Sequence, residues 1–595
     1  MADFLDWLDD RTGYRGLLAS ALYERIPGGA RWRYVWGSAL TFSLFAQFVT
    51  GIVLWAAYSA NAQGAWESVY FIEHQMAGGW ILRGVHNYMA QVTMVLLALH
   101  LMQVVVDGAY RAPREVNFWF GLGLLFLVLG LSLTGYLLPW DQKGFWATKV
   151  ATSIASMTPV VGPTVQSLLI GGAEYGHHTL TRFFALHAGV LPAAVVLLIV
   201  GHVYLFRRHG VTIRPEAAGK SDGHFWPDQV LRDGVASLVV MATVLAMVFW
   251  SGGAHLGAPA DPTEPYASAR PEWYFMFLFQ WLKYFPSGWE FVGSQVIPGM
   301  LIGLVAAMPF IGRWRLGHRF NLGVLASIVV GIGLLTRLGY VEDAADPDFT
   351  AAQAQAEVTA TRAKVLAGAP AGLPPSGALA LLRTDPLTQG PRLFEANCST
   401  CHRVDGHDGL GVVPDDAPAA SDLAGYGSRT WLTGLLDPER IVTDAYFGAT
   451  EHATGRMARF VQRGVAGFDD AEREQLRKVI MAVSAEARLP AQTASDAASQ
   501  IEIEEGRALI GSEGIDCARC HTFREMTDGD VGPVLTGWAS REWMLGLLND
   551  PGHESYYGDR NDRMPAFGAE EILGDTEMGL IVDWLRGDWY ELELR

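Results

Sequence analysis

An all-α fold is what this sequence predicts: seven membrane-crossing helices followed by two small soluble helical units. Three observations predict it. Half of the 595 residues are hydrophobic and only 18% are charged, against roughly 25% in a soluble protein, so much of the chain belongs in lipid. Charge is divided along the chain. Residues 341–595 hold 22 Lys and Arg against 43 Asp and Glu, whereas residues 1–340 hold 22 against 19. The acidic part also carries one sequence pattern twice. A basic footprint is missing, which argues against nucleic-acid binding.

The apolar stretches run approximately 34–57, 81–106, 116–138, 181–206, 229–250, 294–311 and 321–340. Each approaches the ~20 residues needed to cross ~30 Å of hydrocarbon, and the sixth is the shortest. Residues 2–25 precede them as an amphipathic helix with Phe4, Leu5, Leu8, Leu17 and Leu18 among charges, a pattern for the membrane interface rather than a cleavable leader. Basic residues orient the bundle. Arg25, Arg31 and Arg33 precede the first span, Arg111 and Arg114 follow the second, Arg207, Arg208, Arg214 and Lys220 the fourth, and Arg313, Arg315 and Arg319 the sixth. All fall on one side, the cytoplasm, while loop 59–80 has no Lys or Arg. Seven crossings from an inside start leave residue 341 outside.

Ionisable residues inside spans are functional candidates. His86 and His100 lie fourteen apart in the second span, and His187 and His202 fifteen apart in the fourth. At 100° per residue each pair shares one helix face, its imidazoles ~21–22 Å apart along the axis. Two such helices can hold two bis-histidine haems, one near each membrane face. Gly37 and Gly51 in the first span, and Gly121 and Gly135 in the third, repeat the fourteen-residue step. They are expected to leave gaps for a flat macrocycle.

The acidic part opens with an Ala/Pro/Asp-rich stretch, 341–385, expected as a helix followed by a linker. All four cysteines lie beyond it, in Cys398-Ser-Thr-Cys401-His402 and Cys517-Ala-Arg-Cys520-His521. A histidine directly after both pairs is the mark of c-type haem attachment; a disulfide, a redox dithiol or a zinc half-site are the other uses of such a pair. Thioether attachment in bacteria needs the oxidising side of the membrane, which is where the charge count leaves residue 341. The repeat continues: Leu423-Ala-Gly-Tyr-Gly-Ser-Arg429-Thr-Trp431 matches Leu535-Thr-Gly-Trp-Ala-Ser-Arg541-Glu-Trp543, and each copy ends in an Arg-Met pair, Arg456-Met457 and Arg563-Met564.

Arg83-Gly-Val-His86, the His86/His100 pair, Gly135-Tyr136-Leu-Leu-Pro139-Trp140-Asp141-Gln142, Thr181-Arg182-Phe-Phe-Ala-Leu-His187 and Pro271-Glu272-Trp273-Tyr274 together resemble the cytochrome b subunit of quinol:cytochrome c reductases, over residues ~10–340. The fifteen-residue histidine step and the span count resemble the chloroplast and Gram-positive branch. By that resemblance His86 and His187 bind the low-potential outer haem b, His100 and His202 the high-potential inner one, and Arg83 and Arg114 pair with propionates. Glu272 accepts a proton from quinol at an outer pocket walled by Tyr136, Trp140, Pro271, Trp273 and Tyr274, with short segments 144–155 and 161–170 beneath. The branch's cysteine near the start of span one is replaced by Tyr34-Val35-Trp36, so no covalent haem is expected at the inner quinone site. Only Arg207 and Asp228 stand out there.

The two acidic units resemble class I cytochromes c in tandem, with His402 and His521 as proximal ligands. Met564, followed by Pro565, is the distal ligand of the second; Met457 or His452 serves the first. Gly532-Pro533 resembles the loop that holds the proximal histidine in that family. Pro414 and Pro418 are the nearest counterparts in the first unit.

The expected domains are 1–215 and 216–340 for the two parts of cytochrome b, 341–385 as linker, and 386–488 and 489–595 as the cytochrome c units. The resemblance implies a quinol:cytochrome c oxidoreductase of the bacterial cytoplasmic membrane with two haems b, two haems c and quinol. Its expected partners are a separate Rieske iron–sulfur protein, a second copy of itself, and a downstream cytochrome or oxidase with a basic face. Menaquinol and ubiquinol both remain open. The alternative is a non-catalytic haem conduit linking another dehydrogenase to periplasmic acceptors, which would have no use for Glu272.

Overall fold

The computed structural model describes residues 2–213, 219–526, 529 and 531–591; Arg214 and the boundary expected at 215 lie outside them. Two compact units emerge, Met1–Lys364 with Leu373–Leu379, and Val365–Gly372 with Ala380–Arg595.

The first unit begins with two short helices, α1 (Ala2–Thr12) and α2 (Tyr14–Leu22), separated at Gly13, whose φ of 63° interrupts the helix. Phe4, Trp7 and Leu17 are exposed on them. Then follow α3 (Val35–Trp55), α4 (Ala65–His74), α5 (Gly79–Val106), α6 (Glu115–Tyr136), α7 (Gln142–Ser156), α8 (Gly162–Ile170), α9 (His177–His209), α10 (Val230–Ser251), α11 (Trp273–Leu282), α12 (Val292–Ala306), α13 (Gly317–Ala345) and α14 (Pro347–Ala367). Among the described residues six helices are long and apolar enough to cross a membrane: α3, α5, α6, α9, α10 and α13, some extended by a flanking turn. The sixth stretch read from the sequence is the shorter apolar α12. The segments expected between spans three and four are α7 and α8.

Helices α3, α5 and α10 pack on one another around Ala39, Leu40, Val85, Met89, Val240, Val244 and Val248, while α6 pairs with α9 and α11 with α13. Close packing depends on missing side chains. A Cβ on Gly201 of α9 would stand 2.4 Å from the Phe120 ring of α6. Strands Arg25–Ile26 and Gly223–His224 form a two-residue antiparallel ladder that ties the N-terminal segment to the start of α10.

Helix α9 contains a π turn at Leu186–Val190, just before Pro192. Proline has no N–H for the ordinary i−4 bond, and a π turn absorbs one extra residue. Fifteen residues with one absorbed keep the angular register of fourteen, so His187 and His202 align along α9 as His86 and His100 do along α5.

The second unit contains α15 (Pro386–Asn397), α16 (Arg429–Leu435), α17 (Asp470–Glu486), α18 (Gln500–Ala508), α19 (Arg541–Asn549) and α20 (Asp575–Arg586). The repeat is structural as well as sequential. Ser428 and Ser540 cap α16 and α19 by accepting from Trp431 N and Trp543 N at 3.1 and 3.2 Å, a standard N-cap arrangement. Trp431 and Trp543 donate their indole N–H to Asp422 O and Val534 O at 2.9 and 3.0 Å. The terminal helices are exchanged between the repeats: α15 packs on α20, and α17 on α18. Both crossings need glycine. A Cβ on Gly390 would lie 2.2 Å from Trp584 Cβ, and one on Gly506 2.0 Å from Lys478 O. Buried Arg586 fastens the centre by donating to Ala487 O at 2.8 Å, Ala539 O at 2.6 Å and Arg488 O at 3.2 Å. One hydrophobic core runs through both repeats.

Candidate functional site

Helices α3 and α6 present their glycines to the histidines of α5 and α9. A Cβ on Gly51 would be 3.2 Å from His86 Cε1, on Gly37 3.8 Å from His100, on Gly121 3.3 Å from His202, and on Gly135 2.6 Å from His187. The glycines leave room for the imidazoles. Only Gly135 is sterically compulsory.

Ring nitrogens are oriented from the same neighbours. His187 Nδ1 lies 3.0 Å from Leu131 O, and His202 Nδ1 3.1 Å from Asn117 O. A carbonyl only accepts, so both rings carry the proton on Nδ1 and leave the Nε2 lone pair for a metal. His86 Nδ1 meets Thr50 Oγ1 at 2.8 Å. Since Thr50 donates its own proton to Ala46 O at 2.7 Å, it accepts from His86, giving the same tautomer. The His86 and His187 rings stand nearly perpendicular, 75° between their planes, with centroids 6.3 Å apart. Two bonds of ~2 Å to one metal, plus the half-widths of two rings, account for such a spacing. The residues fit an iron held between two imidazoles.

Arg83 has three protein partners. It donates to Glu73 Oε2 at 2.8 Å, Ala254 O at 2.8 Å and His255 O at 2.7 Å. Arg114 reaches the carbonyls of His209 and Gly210 at 3.0 and 3.3 Å, at the end of α9.

The motifs around Trp140 and Glu272 converge. Trp140 sits at φ 50° and is buried, a strained conformation of the kind that collects at functional sites. Its carbonyl accepts from Ala260 N at 3.0 Å, and Gln142 N donates to Ala258 O at 2.9 Å. Asp141 accepts from Gly144 N and Gly257 N at 2.8 and 3.1 Å. Glu272 caps the start of α11, and both its carboxylate oxygens are occupied: Lys143 Nζ stands 3.1 Å from Oε1 and Gln91 Nε2 3.2 Å from Oε2. Gln91 in turn accepts from Trp273 Nε1 at 2.5 Å. Tyr274 hydrogen-bonds Ser132, and burial pushes its phenol up to about 12, so it is protonated at neutral pH. Arg270, next to Pro271, anchors the motif to α13 by paired bonds to Asp343 at 2.8 and 2.9 Å and lies over the Phe349 ring at 4.0 Å.

In the second unit a cavity of about 770 Å³ is lined by His402, His452, Met457, His521 and Met564. Both Cys-X-X-Cys-His motifs thus open into one space. His402 Nδ1 donates to Ser421 O and His521 Nδ1 to Pro533 O, each at 2.8 Å. Burial lowers the pKa of both imidazoles, which keeps them neutral and able to bind a metal through Nε2. Burial pushes the Cys398 and Cys517 thiols up to about 12, the opposite of a redox dithiol, whose reactive thiol is acidic. His452 stacks on Tyr557, centroids 5.5 Å apart, whereas Met457 packs against the core as Met564 does.

Comparison with known proteins now adds to the geometry. The family profile described as cytochrome b (N-terminal)/b6/petB matches residues 91–261, and the cytochrome c profile matches 387–483. The cytochrome b of Rhodobacter capsulatus is 32% identical over 319 residues, 51% of this chain and 72% of that one. The "Menaquinol:cytochrome c reductase cytochrome b subunit" of Geobacillus thermodenitrificans is 37% identical over 215 residues, 35% of this chain and 96% of that one. The chain belongs to the cytochrome b family. The cytochrome b6 of a Synechococcus strain is 34% identical over 212 residues, 36% of this chain and 99% of that one. This cytochrome b carries a cytochrome c domain in its C-terminal part and is a multi-pass membrane protein.

Several residues of this cytochrome b escape sequence patterns. Lys143, Gln91, Glu73 and the Arg270–Asp343 pair all find partners remote in the chain or outside any motif. Ser421 was within reach: it precedes Leu423 by two residues, as Pro533 precedes Leu535, so two more positions of repeat alignment identify it, in place of Pro414 or Pro418. Of the two residues expected at the inner quinone site, Arg207 pairs with Glu24 at 3.1 Å, and Asp228 accepts from His224 N at 3.4 Å. The buried carboxylate nearby is Asp233, held by Ser38 and Gln229 at 2.8 Å each.

Proposed function

We propose that this chain is the quinol-oxidising membrane subunit of a proton-translocating quinol:cytochrome c reductase in a bacterial cytoplasmic membrane. Its N-terminus is cytoplasmic and its cytochrome c units, 386–488 and 489–595, are extracytoplasmic. Residues 1–215 and 216–340 form the two parts of the membrane core, and 341–385 link it to the c units. The observation that carries this reading is the Glu272 carboxylate, fixed at both oxygens beside Tyr136 and Tyr274 in the same unit that brings the His86 and His187 rings to 6.3 Å of each other.

Quinol loses two protons as it loses two electrons. A carboxylate held at a pocket edge accepts the first proton by general-base transfer. Tyr274, neutral and tied to Ser132, offers a fixed polar wall, and Trp140 and Trp273 exclude water from the same side. The four haems, when bound to His86/His187, His100/His202, His402/Met457 and His521/Met564, supply one-electron routes inward across the membrane and outward, the latter fed by a Rieske iron–sulfur partner. Nδ1 hydrogen bonds to Leu131, Asn117, Ser421 and Pro533 fix ring orientation and enhance ligand basicity. A homodimer and a basic-faced acceptor complete the assembly.

The test is Glu272→Gln in the intact complex. Steady-state quinol oxidation is expected to fall by roughly 10²-fold or more, with the b- and c-haem spectra unchanged. A variant with native turnover rules out Glu272 as the base.

A further inference from the structure

We propose, resting on the quinol-pocket reading above, that Lys143 is a positioning residue which holds the Glu272 carboxylate for proton uptake and forms with it the proton's way out to water. Three observations carry this. Lys143 Nζ stands 3.1 Å from Glu272 Oε1 and 5.5 Å from the Tyr136 ring centre, so the ammonium lies along the wall of the expected pocket. Gln91 takes the other carboxylate oxygen, which leaves Glu272 clamped from two different helices, α5 and α7. Exposure then grades across the pair: the Glu272 side chain is 19% exposed and the Lys143 side chain 39%. The inner member faces the pocket and the outer member reaches solvent.

The chemistry is a proton transfer. Quinol O–H gives its proton to a Glu272 oxygen, leaving the quinol monoanion and a neutral carboxylic acid. Neutralising the carboxylate removes its attraction to the ammonium, and the fixed positive charge then favours loss of that proton to water over its return. The other groups around Glu272 work in the opposite sense or are neutral. Asp141 is a carboxylate, and Tyr136, Tyr274 and Tyr340 are phenols. Lys143 supplies the compensating charge. Its position follows from α7: Asp141 caps the helix by accepting from Gly144 N, which places Lys143 in the first turn, directly after the Trp140-Asp141-Gln142 corner.

The test compares Lys143→Met, Lys143→Arg and Glu272→Gln in the complete complex, reading kcat, KM for quinol and the b-haem spectrum. For Lys143→Met the expected result is a roughly tenfold lower kcat with little change in KM and an unchanged b-haem spectrum, because the carboxylate is no longer held for proton uptake. Lys143→Arg keeps the charge and is expected to restore kcat. If Lys143→Met matches the native enzyme while Glu272→Gln is inactive, the role of Lys143 is overturned and the quinol pocket stands. If Lys143→Met and Lys143→Arg lose kcat equally, Lys143 is only a packing residue, which also overturns the inference. If Glu272→Gln is fully active, the pocket reading fails, and Lys143 with it.

Discussion

Gly135 and Gly37 each belong to a glycine pair fourteen residues apart and each faces a histidine, yet a Cβ would stand 2.6 Å from the ring at one and 3.8 Å at the other. That difference predicts different outcomes. Gly135→Ala is expected to displace His187 and to lose the outer haem, lowering the b-to-c haem ratio by roughly half, since overpacking at this distance forces a ring or helix to move. Gly37→Ala is expected to keep both b haems. Pyridine haemochrome ratios on the purified variants distinguish the two, and equal ratios would contradict the steric account. The histidines and glycines were legible because helical periodicity is local: fourteen residues fix a face whatever the rest of the chain does. Lys143 and Gln91 were not, because their partner Glu272 is 129 and 181 residues away and no local pattern encodes such a pairing. Arg83 is a similar case, since its partners Glu73, Ala254 O and His255 O belong to no local motif.

At the level of elements, the π turn in α9 explains why a fifteen-residue histidine step works as well as fourteen, a detail readable only as an unexplained irregularity in sequence. The exchanged helices of the second unit were hidden for another reason. Two copies of one pattern satisfy α15 packed on α17 as readily as α15 packed on α20, so the alignment of repeats cannot choose between them. The observed exchange makes Gly390 and Gly506 the critical crossing points. Gly390→Val is expected to destabilise the unit by about 1–3 kcal/mol through forced separation of α15 and α20, seen as a fall in Tm of several degrees. The exchange further predicts that residues 386–488 expressed alone, without α18 and α20, yield no stable holocytochrome, whereas 380–595 does. A stable, haem-loaded first repeat would contradict it.

Over the whole molecule, charge and topology act together. The membrane part is near neutral and the remainder carries 43 acidic against 22 basic residues, so delivery to a basic acceptor is expected to speed up as ionic strength falls and to slow above ~0.1 M salt, where the Debye length drops to ~10 Å. Stopped-flow oxidation of the c haems across a salt series checks this, and a flat series would contradict it. Separation of the two electrons of quinol at the Glu272 pocket leaves a signature in the b haems. With the inner quinone site blocked and quinol present, a pulse of ferricyanide is added to the purified complex while b- and c-haem absorbance are followed together. The account predicts that the b haems become more reduced as the c haems oxidise, and that Glu272→Gln abolishes the effect. Simultaneous oxidation of b and c haems would contradict it and make the chain a conduit.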